Sequence, residues 1–276
     1  MTSSPPFAEI PLYLSPPIQL SYIGLTMIRS DAEVWNELNS VKHWYHQIPI
    51  QPGITTPGIN NTAQVLALLD LPDDARGLRV LDLGTRDGFF AFEMERRGAE
   101  VIAVDYLPKD QTGFAVVSRL LESKVTFVNA NIYDLSVERF GTFDVVLFLG
   151  LLYHLPDPLE ALLLLRSLCR HRLCVESQVI DQALLMPDGR MAALAEVAPA
   201  LIDVPLMQFY PGRSLNNDPT NYWAPNLSGL QAMLRECNFT VNSCHLVGAR
   251  GIVNCVIRED AEQEYLNRVA RGLPQF

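Results

Sequence analysis

The sequence predicts an α/β fold. Its core is a doubly wound, mostly parallel, seven-stranded sheet with an antiparallel C-terminal hairpin, an N-terminal cap and an insertion after strand 5. Three observations carry this. Short apolar runs alternate with helical segments from about residue 60 onward. One of them, Phe143 to Leu149, is apolar almost without interruption, as a strand covered on both faces must be. Near the end, two β-rich stretches are joined only by Gly248-Ala249-Arg250-Gly251. That link permits a hairpin and is too short for a parallel crossover.

Taken in order, residues 63–71 read as a helix stopped by Pro72, and 79–83 as a continuous apolar strand. Residues 88–97 read as a helix with Phe89, Phe92 and Met94 on its buried positions and Gly98 as its C-terminal stop. A strand at 100–104 ends at Asp105. A helix at 113–122, a strand at 125–129, the central strand at 143–149, a helix at 158–170 and a fifth strand at 172–177 follow. Then come a helix at 227–237 and the hairpin strands 239–247 and 252–257. Right-handed crossovers put the C-terminal ends of the parallel strands on one edge, where such sheets bind ligands. Residues 1–60 are expected to form an arm and cap, and 61–276 the main domain. Within the latter, the Pro- and Asn-rich insertion 180–225 enters and leaves near the ligand edge and serves as a lid.

Composition narrows the function. With 276 residues, 49% of them hydrophobic, the chain can bury a sizeable core, and a 19% charged content argues against gross disorder. No apolar run approaches the roughly 20 residues a membrane-spanning helix needs. The proline-broken start reads as a surface arm without a signal peptide. A cytoplasmic protein is expected. A net charge of −10, with Lys42, Lys109 and Lys124 the only lysines, disfavours a nucleic-acid partner. The five cysteines form no CxxC pair, so buried reduced thiols are expected and no metal site. A homo-oligomer stays open.

The chemistry concentrates on the predicted ligand edge. In VLDLGTRDGFFAFE, Gly84 and Gly88 flank a tight turn from strand into helix, where a backbone without Cβ atoms can approach a ligand. Arg86 and Phe89 stand where a dinucleotide loop carries further glycines, so a pyrophosphate would be crowded. Asp105, at the tip of the second strand, suits the two hydroxyls of a ribose, or else caps a turn. Asn131 and Ile132 follow the third strand and could border an adenine. A plain loop explains them nearly as well. After the fourth strand, Tyr153 and His154 reach the substrate face. His154 is either a general base or a loop brace. Glu176, at the end of the fifth strand, is either a second base or the partner of an arginine.

These residues resemble a family. DLGTRDGFFAFEMERRGA, AVD and FLGLLYHLPDPLEAL together look like class I S-adenosylmethionine-dependent methyltransferases. More narrowly they are similar to the group that includes the enzyme modifying wobble uridine in tRNA with a carboxymethyl donor. Trp44-Tyr45-His46-Gln47 and Ile54-Thr55-Thr56-Pro57-Gly58 resemble the segment before the core in that group. The resemblance covers roughly residues 41–178 and implies S-adenosylmethionine as cofactor. It implies that Asp82, Gly84 and Gly88 line the methionine part, that Asp105 holds the ribose, and that Asn131 and Ile132 border the adenine. Leu149 and Gly150 would lie beneath the sulfonium, with Tyr153 facing the substrate.

The chain departs from the tRNA enzyme in being acidic and lysine-poor, where a basic groove and cations for the donor's extra carboxylate are expected. Ordinary S-adenosylmethionine and a small-molecule acceptor, methylated on oxygen or carbon, are therefore expected. Secondary metabolism, for instance an isoprenoid diphosphate, is the expected setting. The acceptor would meet Trp44, Tyr45, His46, Phe209, Tyr210, Arg213, Tyr222 and Trp223, with a divalent metal only if it is a diphosphate. A tRNA-modifying enzyme and a non-catalytic cofactor-binding module are the alternatives.

Overall fold

The computed structural model describes residues 29–270 apart from Asn61. The arm reading of residues 1–28 lies outside the described residues. Helix α1 (Asp31–Leu38) begins on a capping box in which Ser30 and Glu33 bond each other's backbone N–H. The strands β1 (Arg79–Leu83), β2 (Glu100–Asp105), β3 (Thr126–Asn129), β4 (Phe143–Leu149) and β5 (Cys169–Gln178) alternate with α2 (Phe89–Arg96), α3 (Phe114–Leu120) and α4 (Pro158–Leu168). Helix α5 (Leu227–Glu236), strands β6 (Phe239–Val247) and β7 (Arg250–Ile257), and helix α6 (Ala261–Ala270) complete the described chain.

The seven strands form one sheet in the order β6-β7-β5-β4-β1-β2-β3. The first five strands are mutually parallel. β7 runs antiparallel between β5 and β6. Successive residues of β1 go to opposite cores, as a two-residue side-chain period requires. Leu81 and Leu83 join α4 and α5 on one face. Val80 joins α1, α2 and α3 on the other. The insertion carries two small antiparallel ribbons and a core of its own from Ile180, Tyr210, Leu215 and Ala224.

Four local expectations are corrected. The helix expected at 63–71 is Ala63–Leu66 only. The Asn254 side chain takes the Asp70 N–H at 3.0 Å and donates to the Leu68 carbonyl at 2.8 Å, diverting this backbone from helical bonding. Cys169 already pairs with Phe143, so α4 stops at Leu168 and β5 starts earlier than expected. On α2, Phe90, Phe92 and Met94 are buried while Phe89 is half-buried. Four cysteines are buried, but Cys244 is exposed on β6, an edge strand of the sheet.

Candidate active site

The turn after β1 is held in a conformation that few residues adopt. Gly84, Arg86 and Gly88 have φ of 68°, 53° and 95°, all in the left-handed region. The N–H groups of Gly84 and Thr85 donate to the Val104 carbonyl, and Gly88 N–H donates to Thr85. Beneath the turn, Asp82 accepts the Thr85 hydroxyl at 2.6 Å, and burial pushes its carboxyl up to about 7.

Asp105 lies beside this turn at the end of β2. Its Oδ2 accepts the Arg86 N–H at 2.9 Å and its Oδ1 accepts the Leu107 N–H at 2.9 Å. Each oxygen keeps acceptor capacity for a further donor. Burial pushes its carboxyl up, opposed by the Leu107 and Arg86 hydrogen bonds. Across the edge, Asn131 spends its Oδ1 on capping the Tyr133 N–H at 3.1 Å and is exposed. Ile132 is buried and packs in the core below the loop.

Gly150, after β4, has φ 72° and donates its N–H to the Glu176 carbonyl at 2.9 Å. A Cβ there would stand 3.5 Å from Glu176 Oε2 and 3.9 Å from Tyr153 Oη, so these two side chains border the same spot. Glu176 pairs with Arg250 at 2.9 Å, and Arg250 also donates to Tyr153 Oη at 3.1 Å while lying over its ring. Burial pushes Glu176 up, and Arg250 opposes that shift. Burial takes the Tyr153 phenol to about 12. His154 Nδ1 lies 2.9 Å from Thr220 Oγ1 and 3.2 Å from the Thr220 carbonyl, and Thr220 Oγ1 donates to Asp218 at 2.7 Å. Burial lowers the His154 imidazole.

The profile of a methyltransferase-domain family matches residues 61–243. The chain belongs to the class I S-adenosylmethionine-dependent methyltransferases.

Over 103 residues it is 33% identical to a ubiquinone biosynthesis O-methyltransferase of Vibrio campbellii, covering 37% of this chain and 43% of that enzyme. Over 184 residues it is 27% identical to a tRNA U34 carboxymethyltransferase of Dichelobacter nodosus, covering 64% of this chain and 50% of that enzyme. The chain thus spans half or less of the length of these relatives. The N-terminal domain of EvdMO1, solved with S-adenosylhomocysteine bound, superposes with a TM-score of 0.57 at 16% identity. That superposition covers 84% of this chain and 98% of that one.

The residues of this methyltransferase fit an S-adenosylmethionine donor. Asp105 has free acceptor capacity for ribose hydroxyls, and Gly84 keeps the turn beside it open, since a Cβ there would meet only Leu151 at ordinary contact distance. Two expectations on the donor side change. Gly88 is demanded by packing, because a Cβ would overlap the rings of Phe92 and Phe114. Asp82 is almost wholly buried and braces the turn from inside.

On the acceptor side, Tyr45 is half-buried, with the Arg86 guanidinium 5.9 Å above its ring. Trp44 is a core residue: its Nε1 donates to Leu38 and its ring fills the space above Gly113. His46 is buried against Tyr45, Phe89 and Phe90, its Nδ1 without a hydrogen-bond partner among the described residues, and burial brings it down to about 4. Phe209 is 52% exposed and packs on Trp223 at 4.7 Å. Tyr210 is 1% exposed inside the insertion's core, which removes it as an acceptor wall. Arg213 turns back to the Asn217 carbonyl of its own loop. Tyr222 N–H donates to the Tyr153 carbonyl at 2.8 Å, and Trp223 Nε1 to the Pro156 carbonyl at 3.3 Å. With the His154–Thr220 contact, these bonds fasten the insertion to the loop after β4.

Sequence reasoning missed two residues. Asp87 is fully buried and accepts the N–H groups of Tyr45 at 2.7 Å, His46 at 2.9 Å and Gly113 at 2.9 Å. It ties the cap to the glycine turn and to the start of α3. An acid within a glycine turn that is followed by apolar residues was the available signal. Arg250, which meets Glu176 and Tyr153, was read only as part of a turn.

Proposed function

We propose that this chain transfers the methyl group of S-adenosylmethionine to a small-molecule acceptor, on oxygen or carbon. The observation that carries this is Asp105, buried at the end of β2, oriented by the Arg86 and Leu107 N–H groups and still able to accept two hydroxyls. The bound donor supplies an electrophilic methyl on a sulfonium. Asp105 holds the ribose, Gly84 admits the amino-acid part, and Leu149 and Gly150 form the floor. Alignment is the main catalytic contribution in such a displacement.

For a hydroxyl acceptor, His154 takes the proton. Its Nδ1 is turned to Thr220, which leaves Nε2 as the basic nitrogen, and burial keeps the ring neutral near pH 7. Glu176 stands by as the alternative base with Arg250 against it. The insertion 180–225 acts as the lid. Phe209, Tyr222 and Trp223 form its acceptor-facing part, and Tyr45 contributes from the cap. A divalent metal enters only with a diphosphate acceptor. The proposed setting is a cytoplasmic enzyme of secondary metabolism. Among the described residues, no helix is long and apolar enough to cross a membrane.

One observation favours a second reading, carboxymethyl transfer to RNA: Arg250 with Tyr153 beside Gly150 supplies a cation where a donor carboxylate would lie. Against it, that cation is already paired with Glu176. Incubating the chain with S-adenosylmethionine or its carboxylated analogue, against a panel of phenols, isoprenoid diphosphates and bulk tRNA, decides by product mass. Methylated small molecules support the proposal. Modification of tRNA alone overturns it.

A further inference from the structure

A cavity of about 450 Å³ lies between the cap and the glycine turn. Lys42 and His43 reach it from the cap and Arg86 from the turn, with Trp44, Tyr45 and Ile59 among its apolar walls. Among the described residues, no acidic side chain lines it. Composition alone would not produce this, because the chain has 31 acidic residues against 21 basic ones and only three lysines. Among the described residues, neither Lys42 nor Arg86 makes an ion pair.

Arg86 adds a second, independent point. It holds a left-handed backbone conformation that strains a residue with a Cβ. Its bond to Asp105 uses only the backbone N–H, which glycine would supply without strain. What the arginine adds is its side chain, which lies over Tyr45 and lines the cavity. The Arg86 backbone N–H is held by Asp105, so the cavity stands next to the proposed donor site.

We infer that this cavity binds the anionic group, carboxylate or phosphate, of an amphipathic organic acceptor. Lys42 and Arg86 meet the charge, and Trp44, Tyr45 and Ile59 flank the apolar part. This rests on the methyl-transfer reading and narrows its substrate class. It also moves the anion contact from Arg213, which is turned away, to the cap.

The test is calorimetry on the full chain with inorganic pyrophosphate and, separately, with S-adenosylhomocysteine. Wild type should bind pyrophosphate, less tightly as salt is added. Lys42→Gln and Arg86→Gly should each weaken that binding by about ten-fold, the usual loss for a charge-assisted hydrogen bond. Arg86→Gly keeps the turn and relieves its strain, so loss of folding is not a competing explanation. Lys42→Gln should leave S-adenosylhomocysteine affinity within about two-fold, because Asp105 and Gly84, assigned to that ligand, do not line the cavity. Absence of pyrophosphate binding, or indifference to both substitutions, overturns the inference. So does a parallel loss of S-adenosylhomocysteine affinity in Lys42→Gln, which would assign the cations to the donor. Failure of wild type to bind S-adenosylhomocysteine would instead sink the methyl-transfer reading, whatever pyrophosphate does.

Discussion

Arg250 Nε lies 2.9 Å from Glu176 Oε1. The antiparallel register explains the meeting. Arg250 stands opposite Gln178 and Ile252 opposite Glu176, so Arg250 and Glu176 are diagonal neighbours on one face. Removing one member leaves a buried charge uncompensated, a cost of about 3 kcal/mol in buried pairs, lowered here because Arg250 is partly exposed. Arg250→Gln should therefore destabilise the fold by about 2 kcal/mol. The double variant Glu176→Gln/Arg250→Gln should recover part of that loss in urea unfolding. Purely additive single effects would refute the coupling.

Asp87→Ala should release the cap. Three backbone N–H groups lose a buried carboxylate, at about 3 kcal/mol or more in total. Limited proteolysis should then cut within residues 31–60 well before the sheet domain. Equal resistance of variant and wild type would show that the cap is held by other contacts.

The two turn glycines should respond differently to alanine. Gly88→Ala drives a Cβ into Phe92 and Phe114 at φ 95°, and should cost upward of about 2 kcal/mol in stability. Gly84→Ala meets only ordinary contacts and should cost about 1 kcal/mol, mostly from its positive φ, while weakening donor affinity more than Gly88→Ala does. Paired denaturation and calorimetry would read both, and the reverse ranking in stability would contradict this account.

Two buried groups act on stability in opposite directions over nearly the same pH range. Burial lowers His46 from 6.5 to about 4, so between those values the unfolded chain binds the extra proton. The stability tied to neutral His46 is complete above 6.5 and is lost as pH falls towards 4. Burial raises Asp82 from 3.8 to about 7, so there the folded chain holds the proton. That contribution is complete below 3.8 and is lost as pH rises through about 7. His46→Phe should therefore leave stability falling as pH rises from about 4 to about 7, and Asp82→Asn should leave it rising from about 4 to 6.5, each changing the unfolding free energy across that range by more than about 1 kcal/mol. Unchanged slopes in both variants would refute the assignment.

The sheet was legible because its strands are buried on both faces and its last connection is too short to cross over. The placement of Asp105 was legible because its strand is a short apolar run that ends at the acid. Arg250 was hidden, since its meeting with Glu176 exists only once β7 pairs with β5. Tyr210 misled for a related reason. An aromatic side chain in a cap or lid looks the same in sequence whether it walls a pocket or fills a core. Here Ile180, Leu215 and Ala224 surround it. Asn254, which cuts short the helix at Ala63–Leu66, acts from nearly two hundred residues away in sequence, beyond the reach of any local pattern.

The donor site built on Asp105 is tested most directly by titrating S-adenosylhomocysteine into wild type and Asp105→Ala in a calorimeter. Wild type should bind with a Kd on the order of micromolar, and Asp105→Ala should bind at least about ten-fold more weakly, through loss of hydrogen bonds to a charged acceptor. Binding of a nicotinamide dinucleotide in its place, or an affinity that Asp105→Ala leaves unchanged, would contradict the account.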